Sequence, residues 1–199
     1  MTARILVAGI LGGIIMFIWT SIAHTVLPLG EAGVREMPNE SAVVDALKTN
    51  LGEGRGLYIF PGMGLGENPT SEAKKEAMKQ MGEKVANNPS GLLMYNPRRP
   101  LNMGRLLGIE FATEVLEAIL VVFLLSSTQL LTAGSRILFV TIAGFMAAIA
   151  TNVSYWNWYG FPKRYTAAYI FIQIVGFFLV GVVSALILRN RDPVAESKG

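Results

Sequence analysis

The sequence contains no cysteine in its 199 residues. Disulfide bonds, zinc–thiolate sites and a thiol nucleophile are therefore excluded, and the redox compartment stays undetermined. Charge is also scarce, because 16% of the residues are charged, against about 25% in a typical soluble domain. The formal net charge is +3 and no basic run exceeds two residues, so we predict no nucleic-acid partner.

Motifs that carry chemistry are absent as well. No signature for nucleotide binding, for a nucleophile or for a zinc site occurs, and histidine occurs once, as His24. The Glu-x-x-His pairs of carboxylate-bridged metal bundles are missing, which leaves His24 with Glu110 as the one weak candidate for a metal site. The sequence therefore favours a protein that is not an enzyme, and it identifies no cofactor.

Apolar residues, by contrast, make up 52% of the chain. They are concentrated in four stretches, each close to or above the about 20 residues that an α-helix needs to cross a bilayer. We predict one transmembrane helix in each of these stretches, which are 5–29, 106–126, 137–159 and 165–188.

The first stretch has a second interpretation, as a secretory signal. Arg4 precedes it, and Ser21-Ile22-Ala23 has the small residues of a cleavage site. The apolar run nevertheless continues past this site to Leu29. We therefore predict an uncleaved first transmembrane helix.

Residues 30–104 differ in character, because they are charged, rich in Gly and Pro, and without an apolar run of membrane length. Helices are predicted near 41–51 and 71–86, and short strands at Leu57–Phe60 and Leu92–Tyr95. The predicted fold class is an all-α membrane bundle of four transmembrane helices, with a small α+β extramembrane domain inserted between helices 1 and 2. Its parts are helix 1 in 1–29, the α+β domain in 30–104, and helices 2–4 with a short cytoplasmic tail in 105–199.

The orientation is predicted from the Lys and Arg residues in the short segments that flank the helices. Lys163 and Arg164 lie on one side of the membrane, and the opposite side holds more Lys and Arg residues. The segment 30–104 is nearly balanced in charge, and long segments translocate largely regardless of charge. We predict a bacterial inner-membrane protein with both termini in the cytoplasm, on the side of Arg4, Arg136, Arg189, Arg191 and Lys198.

Three glutamates interrupt the second apolar stretch. Glu110, Glu114 and Glu117 are spaced by four and three residues, which places their carboxyl groups on one face of a helix. At about 1.5 Å per residue from Leu106, Glu117 lies near the bilayer midplane. An ionisable group at that depth costs about 2.5 kcal/mol or more, so we expect these side chains to face the bundle interior as a candidate functional site. We expect Glu117 to be protonated, hydrogen-bonded across helices, or bound to a ligand.

Polar residues of the other helices are candidates to complete an intramembrane polar cluster with this glutamate stripe, namely His24, Asn152 and Gln173. One role for such a cluster is structural, as hydrogen bonds between helices. The functional roles are a path for protons or ions, a metal site with His24, or binding of a lipid headgroup, a quinone or a pigment.

A run of aromatic residues ends the third apolar stretch. Rings with a polar edge favour the headgroup layer, so the run is typical of a membrane-interface belt. The alternative is a ring-stacking surface for a cofactor or a neighbouring subunit. The residues concerned are Tyr155, Trp156, Trp158, Tyr159 and Phe161.

Small residues recur at four-residue spacing on three of the predicted helices, a pattern that lets helix backbones approach closely in lipid. These small-residue faces are more numerous than the helix contacts inside a single four-helix bundle require. We therefore predict contacts with other membrane subunits or self-association. The pairs are Gly9 with Gly13, Gly144 with Ala148, and Gly181 with Ala185.

Together these patterns favour a small non-enzymatic membrane subunit, a scaffold or assembly partner of a larger complex, embedded in the lipid bilayer. The alternative is a proton- or ion-coupled transporter or channel-like protein that uses the glutamate stripe. A membrane enzyme with a carboxylate and His24 as acid and base is a third candidate.

Overall fold

The computed structural model describes residues 3–188, so the predicted cytoplasmic residues Arg189, Arg191 and Lys198 lie outside the described residues. The protein is mostly helical, with one two-stranded sheet. The chain divides into two units, one formed by residues up to Arg35 together with those from Asn102, the other by Glu36–Leu101. The elements in chain order are α1 (Ala3–Thr25), α2 (Glu40–Leu51), β1 (Gly56–Phe60), α3 (Ser71–Asn87), β2 (Gly91–Tyr95), α4 (Met103–Ser126), α5 (Ala133–Tyr159) and α6 (Lys163–Ile187).

Three of the helices, α1, α5 and α6, are long and apolar enough to cross a membrane. They indicate an integral membrane protein. The fourth predicted crossing is not confirmed by composition. Helix α4 has 24 residues and therefore spans about 36 Å, but Glu110, Glu114 and Glu117 all lie in its central part.

The four long helices pack antiparallel through their small residues. A Cβ on Gly9 would lie 2.7 Å from Cα of Ile119, and one on Gly13 would overlap the backbone of Val115, so α1 and α4 run in opposite directions with their backbones close. Gly12 of α1 meets Val180 of α6 in the same way. Helices α5 and α6 are antiparallel too.

The small residues of α5 and α6 lie in the contact between these two helices. Gly144 faces Phe177, and Gly181 faces the backbone of Ile137. Ala148 and Ala185 are buried within residues 3–188 as well. All six small residues proposed for helix packing are thus buried inside this chain's own bundle. The prediction of an external partner depended on small residues left free for other contacts, so these six residues no longer support it.

One half of the bundle, where α1 begins and α4 ends, is filled by an apolar core. Inside a bilayer such a core is held by van der Waals contact between close-fitting side chains rather than by exclusion of water. Its buried members are Ala8, Met16, Ala118, Val121, Val122, Leu125, Val140, Phe177 and Val180.

The helix ends differ slightly from the predicted spans. Helix α1 ends at Thr25, before Leu29, because the backbone N–H groups of Val26 and Leu27 both donate to the carbonyl of Ile22 and close the last turn. Helix α4 begins at Met103, three residues before the predicted Leu106. Its first turn is stabilised by the side chain of Asn102, whose Oδ1 accepts a hydrogen bond from Arg105 N–H at 2.9 Å.

The unit Glu36–Leu101 contains two helices and two strands, each with ends within one residue of those predicted. The strands pair antiparallel, with Tyr58 opposite Leu93. Among the described hydrophobic residues of this unit, only Ala77 and Tyr95 are buried. So small a core is typical of a domain of marginal stability.

Arg136, predicted as a cytoplasmic flanking charge, is buried with 8% of its surface exposed. Its Nε donates to the carbonyl of Leu130 at 2.9 Å, and one terminal nitrogen donates to the carbonyl of Leu188 at 2.7 Å. A cation at the C-terminal end of α6 is also favoured by the helix dipole. This arginine therefore joins the α4–α5 loop to the end of α6, and it is a structural residue as well as a flanking charge.

Replacing Arg136 by methionine is expected to lower the free energy of unfolding by about 1.5 kcal/mol, because two charge-assisted hydrogen bonds are lost and their carbonyls stay unpaired. Thermal unfolding of the purified protein in detergent measures the effect. The matched control is Arg105→Met, at an exposed position of α4. Equal melting temperatures for the two variants would contradict this role for Arg136.

Candidate functional site

A cavity of about 700 Å³ lies inside the bundle, at the end where α1 and α5 finish and α4 and α6 start. All four long helices contribute to its wall. The lining residues are Met16, Phe17, Thr20, Ser21, His24, Thr25, Met103, Leu107, Glu110, Thr113, Glu114, Glu117, Thr151, Asn152, Tyr155, Tyr165, Tyr169, Ile172 and Gln173.

The whole intramembrane polar cluster predicted from the sequence lines this one cavity. Helix α4 brings the three glutamates to it, because Val115 and Ala118 on the neighbouring face are turned towards α1. Helices α1, α5 and α6 contribute one residue each. The six members of the cluster are Glu110, Glu114, Glu117, His24, Asn152 and Gln173.

The three carboxylates differ in burial. Glu110 is exposed, Glu117 is partly buried, and Glu114 has only 4% of its surface exposed. The Oε2 atom of Glu114 is buried without a hydrogen-bond partner in residues 3–188. Within residues 3–188, no Lys or Arg lines the cavity and no salt bridge involves a glutamate of α4. A buried carboxylate oxygen without a donor is costly, which makes Glu114 the strongest indication that this cavity receives a ligand.

His24 lies in the last turn of α1, on the wall of the cavity. Its Nδ1 is 2.8 Å from the carbonyl oxygen of Thr20. Because a carbonyl only accepts, Nδ1 carries the proton of this hydrogen bond. The edge of the imidazole faces the ring of Tyr169, with centroids 5.8 Å apart, and Gly30 of the following loop leaves room for it.

The weak candidate metal site of His24 with Glu110 gains no further ligand. In the part of the chain that the structure describes, no group of three or more His, Asp or Glu side chains is arranged to hold a metal ion.

Several polar groups of the wall present acceptors to the cavity, because their hydrogens are given to the helix backbone. Thr25 Oγ1 donates to the carbonyl of Ser21 at 2.7 Å, and Thr113 Oγ1 donates to that of Ile109 at 2.9 Å. Asn152 Nδ2 donates to the carbonyl of Ala148 at 2.9 Å. The wall also contains side-chain donors, so it offers both donors and acceptors beside the three carboxyl groups. These donors belong to Thr20, Ser21, Thr151, Tyr155, Tyr165, Tyr169 and Gln173.

The aromatic run divides into two parts. The ring of Tyr155 stacks on that of Phe161, with centroids 5.3 Å apart, and Tyr155 lines the cavity. Trp156, Trp158 and Tyr159 are exposed and do not line the cavity among the described residues, and Trp158 is 77% exposed; Tyr155 is exposed as well, although part of it lines the cavity. Both interpretations of the run, interface belt and ring-stacking surface, therefore find residues in position, but different ones.

Two tyrosines of the wall were missed from the sequence. Tyr165 and Tyr169 stack with centroids 4.3 Å apart, and a ring contact between Phe161 and Tyr165 joins them to the end of α5. Their four-residue spacing is a signal that could have identified them, since it places both rings on one face of α6.

The cavity is closed at its inner end. Met16 forms part of its floor and packs against Gly176 of α6, and Trp19 Nε1 donates to the carbonyl of Ile172 at 2.8 Å across the same two helices. Beyond the floor lies the apolar core. This arrangement leaves space for a ligand between the four helices, and in residues 3–188 the polar lining ends where the apolar core begins.

None of the family models, curated proteins and solved structures compared with this chain matches it. The function is therefore argued from the cavity itself.

Proposed function

We propose that the chain crosses the bilayer four times, with α4 as the remaining crossing. This helix is similar in length to the other three and lies antiparallel along α1, and its buried carboxyl group at Glu114 lines the cavity. With both termini in the cytoplasm of a bacterial cell, the cavity opens towards the outer side of the inner membrane. The Lys and Arg distribution of the sequence supports this orientation.

In this topology the protein acts as a carrier that binds a cationic solute in the cavity and moves it across the membrane. The observation that carries the proposal is the buried Oε2 of Glu114, which has no partner in the described part of the chain. The cavity that Glu114 lines has three carboxyl groups and, among the same residues, no Lys or Arg in its wall. Ionisable residues that face a bundle interior typically mark substrate or ion pathways. A carrier also agrees with access from one end only, since alternating access exposes a site to one side at a time.

The accessory-subunit function is the weaker proposal. It depended on small residues left over for contact with other subunits, and Gly9, Gly13, Gly144 and Gly181 all face neighbouring helices of the same chain.

Uptake by proteoliposomes tests the carrier. We expect that, under an inside-negative potential, at least one of four probes (protons, rubidium, choline and spermidine) enters at least tenfold faster than into empty liposomes. Glu114→Gln is expected to remove most of this uptake, because it keeps the shape of the side chain and removes its charge. The matched control is Glu83→Gln, at an exposed position outside the bundle. Uptake of no probe, or equal uptake by Glu114→Gln and wild type, would overturn the proposal.

A further inference from the structure

The chemistry of the cavity restricts the class of cation, and this inference rests on the proposed function. The volume of about 700 Å³ lies in the range of pockets for small organic molecules and corresponds to about twenty water molecules. A bare metal ion or ammonium would touch only a small part of such a wall. An organic molecule of appreciable length fits the space better.

The buried carboxyl group of Glu114 favours a hydrogen-bond donor on the ligand. Its Oε2 atom, in a residue with 4% exposure, has no hydrogen-bond partner in residues 3–188. A protonated amine supplies N–H groups to such an acceptor, whereas a quaternary ammonium supplies none.

The spacing of the carboxylates indicates more than one amine. Along α4, Glu110 and Glu114 are separated by about 6 Å, and Glu114 and Glu117 by about 4.5 Å. In an aliphatic amine, chains of four and of three methylenes hold two ammonium nitrogens at comparable separations. The stripe thus matches a row of positive charges on a single flexible chain.

The remaining wall suits the methylenes of such a chain. Phe17 and Leu107 line the cavity beside the stripe, and Met16 and Ile172 lie at its floor. Apolar surface between acidic groups is what distinguishes a polyamine site from a site for a hydrated inorganic ion.

We propose that the cavity binds a linear aliphatic polyamine, with its ammonium groups paired to Glu110, Glu114 and Glu117 and its methylenes against the apolar wall. The acidic stripe alone would not carry this assignment. It is supported by the buried oxygen of Glu114, which has no partner in residues 3–188, and by the apolar side chains that line the cavity with the stripe.

Isothermal titration of the purified full chain in detergent tests the proposal with three probes: spermidine, putrescine and n-butylamine. Each additional ammonium–carboxylate pair is expected to strengthen binding about tenfold to a hundredfold. Spermidine should therefore bind at least a hundredfold more tightly than butylamine, with putrescine between them. Equal affinities for the three amines would overturn the polyamine assignment.

Single and double variants locate the binding. Glu114→Gln should weaken spermidine about tenfold or more, and the double variant E114Q/E117Q should reduce the preference for spermidine over butylamine to within a few-fold. Glu83→Gln should leave both affinities unchanged. If Glu114→Gln misfolds, E110Q/E117Q serves in its place, because Glu110 is exposed and Glu117 only partly buried.

The outcomes separate this inference from the function on which it rests. Binding of all three amines without a preference, together with uptake of any of the four probes, would refute the polyamine and keep the cation carrier. Neither binding nor uptake of any cation would refute both.

Discussion

Replacing Gly13 by valine is expected to separate α1 from α4 and to abolish the folded bundle. A Cβ at this position would lie 3.0 Å from the backbone nitrogen of Val115, 2.9 Å from its Cγ2, and closer still to its Cα. Rotation of a side chain cannot relieve an overlap with backbone, so the helices must move apart and lose the contacts between them. We expect a loss of about 3 kcal/mol or more in unfolding free energy, at the upper end for overpacked sites.

Size-exclusion chromatography of heated, detergent-solubilised protein measures this loss, and Gly13→Val should run as aggregate at temperatures at which the wild type remains monodisperse. The matched control is Gly108→Val in α4, where an added Cβ would meet nothing within 4 Å in residues 3–188. An equal loss of monodisperse protein in both variants would show that valine in a membrane helix, and not the α1–α4 contact, is responsible.

Replacing Glu114 by methionine is expected to stabilise the protein and to inactivate it. Methionine has similar length and no polar atom that requires a partner, so the cost of the buried, unpaired Oε2 disappears. We expect a gain of about 2–3 kcal/mol in the free energy of unfolding without added ligand, and complete loss of cation uptake. Such an exchange of stability for function is typical of a binding site.

Thermal unfolding and proteoliposome uptake, measured on one preparation, check both halves of this expectation. Glu110→Met is the matched control, because Glu110 lines the same cavity but is exposed, and its replacement should change stability much less. A lower melting temperature for Glu114→Met would mean that this carboxyl group is already satisfied in the empty protein.

Local sequence signals were sufficient for much of the fold. The turn residues around 36–101 delimit α2, α3 and both strands, because Gly, Pro and capping side chains act within a few residues of themselves. The three apolar helices follow from length and composition alone. The position of α4 in the sequence was predictable. Because α4 carries three carboxyl groups, however, its composition does not show whether it crosses the membrane or is a buried helix of another kind.

The cavity was predictable in its polar members and not in its shape. Glu114 could be expected to face inward, because lipid excludes a carboxyl group. That the small residues are used within the chain, and that Arg136 joins a loop to α6, depend on which helices are neighbours. Neighbour relations follow from contacts between distant residues such as Gly13 and Val115, which no local pattern encodes.

The packing of α4 has a mechanical consequence. This helix lies along α1 but contacts α5 and α6 little, whereas α1, α5 and α6 form a continuous series of neighbours. The seam at Gly9 and Gly13 is therefore the main attachment of α4 to the other three helices. Because the three glutamates lie on α4, this one seam also sets how far the carboxyl groups stand from the opposite wall of the cavity.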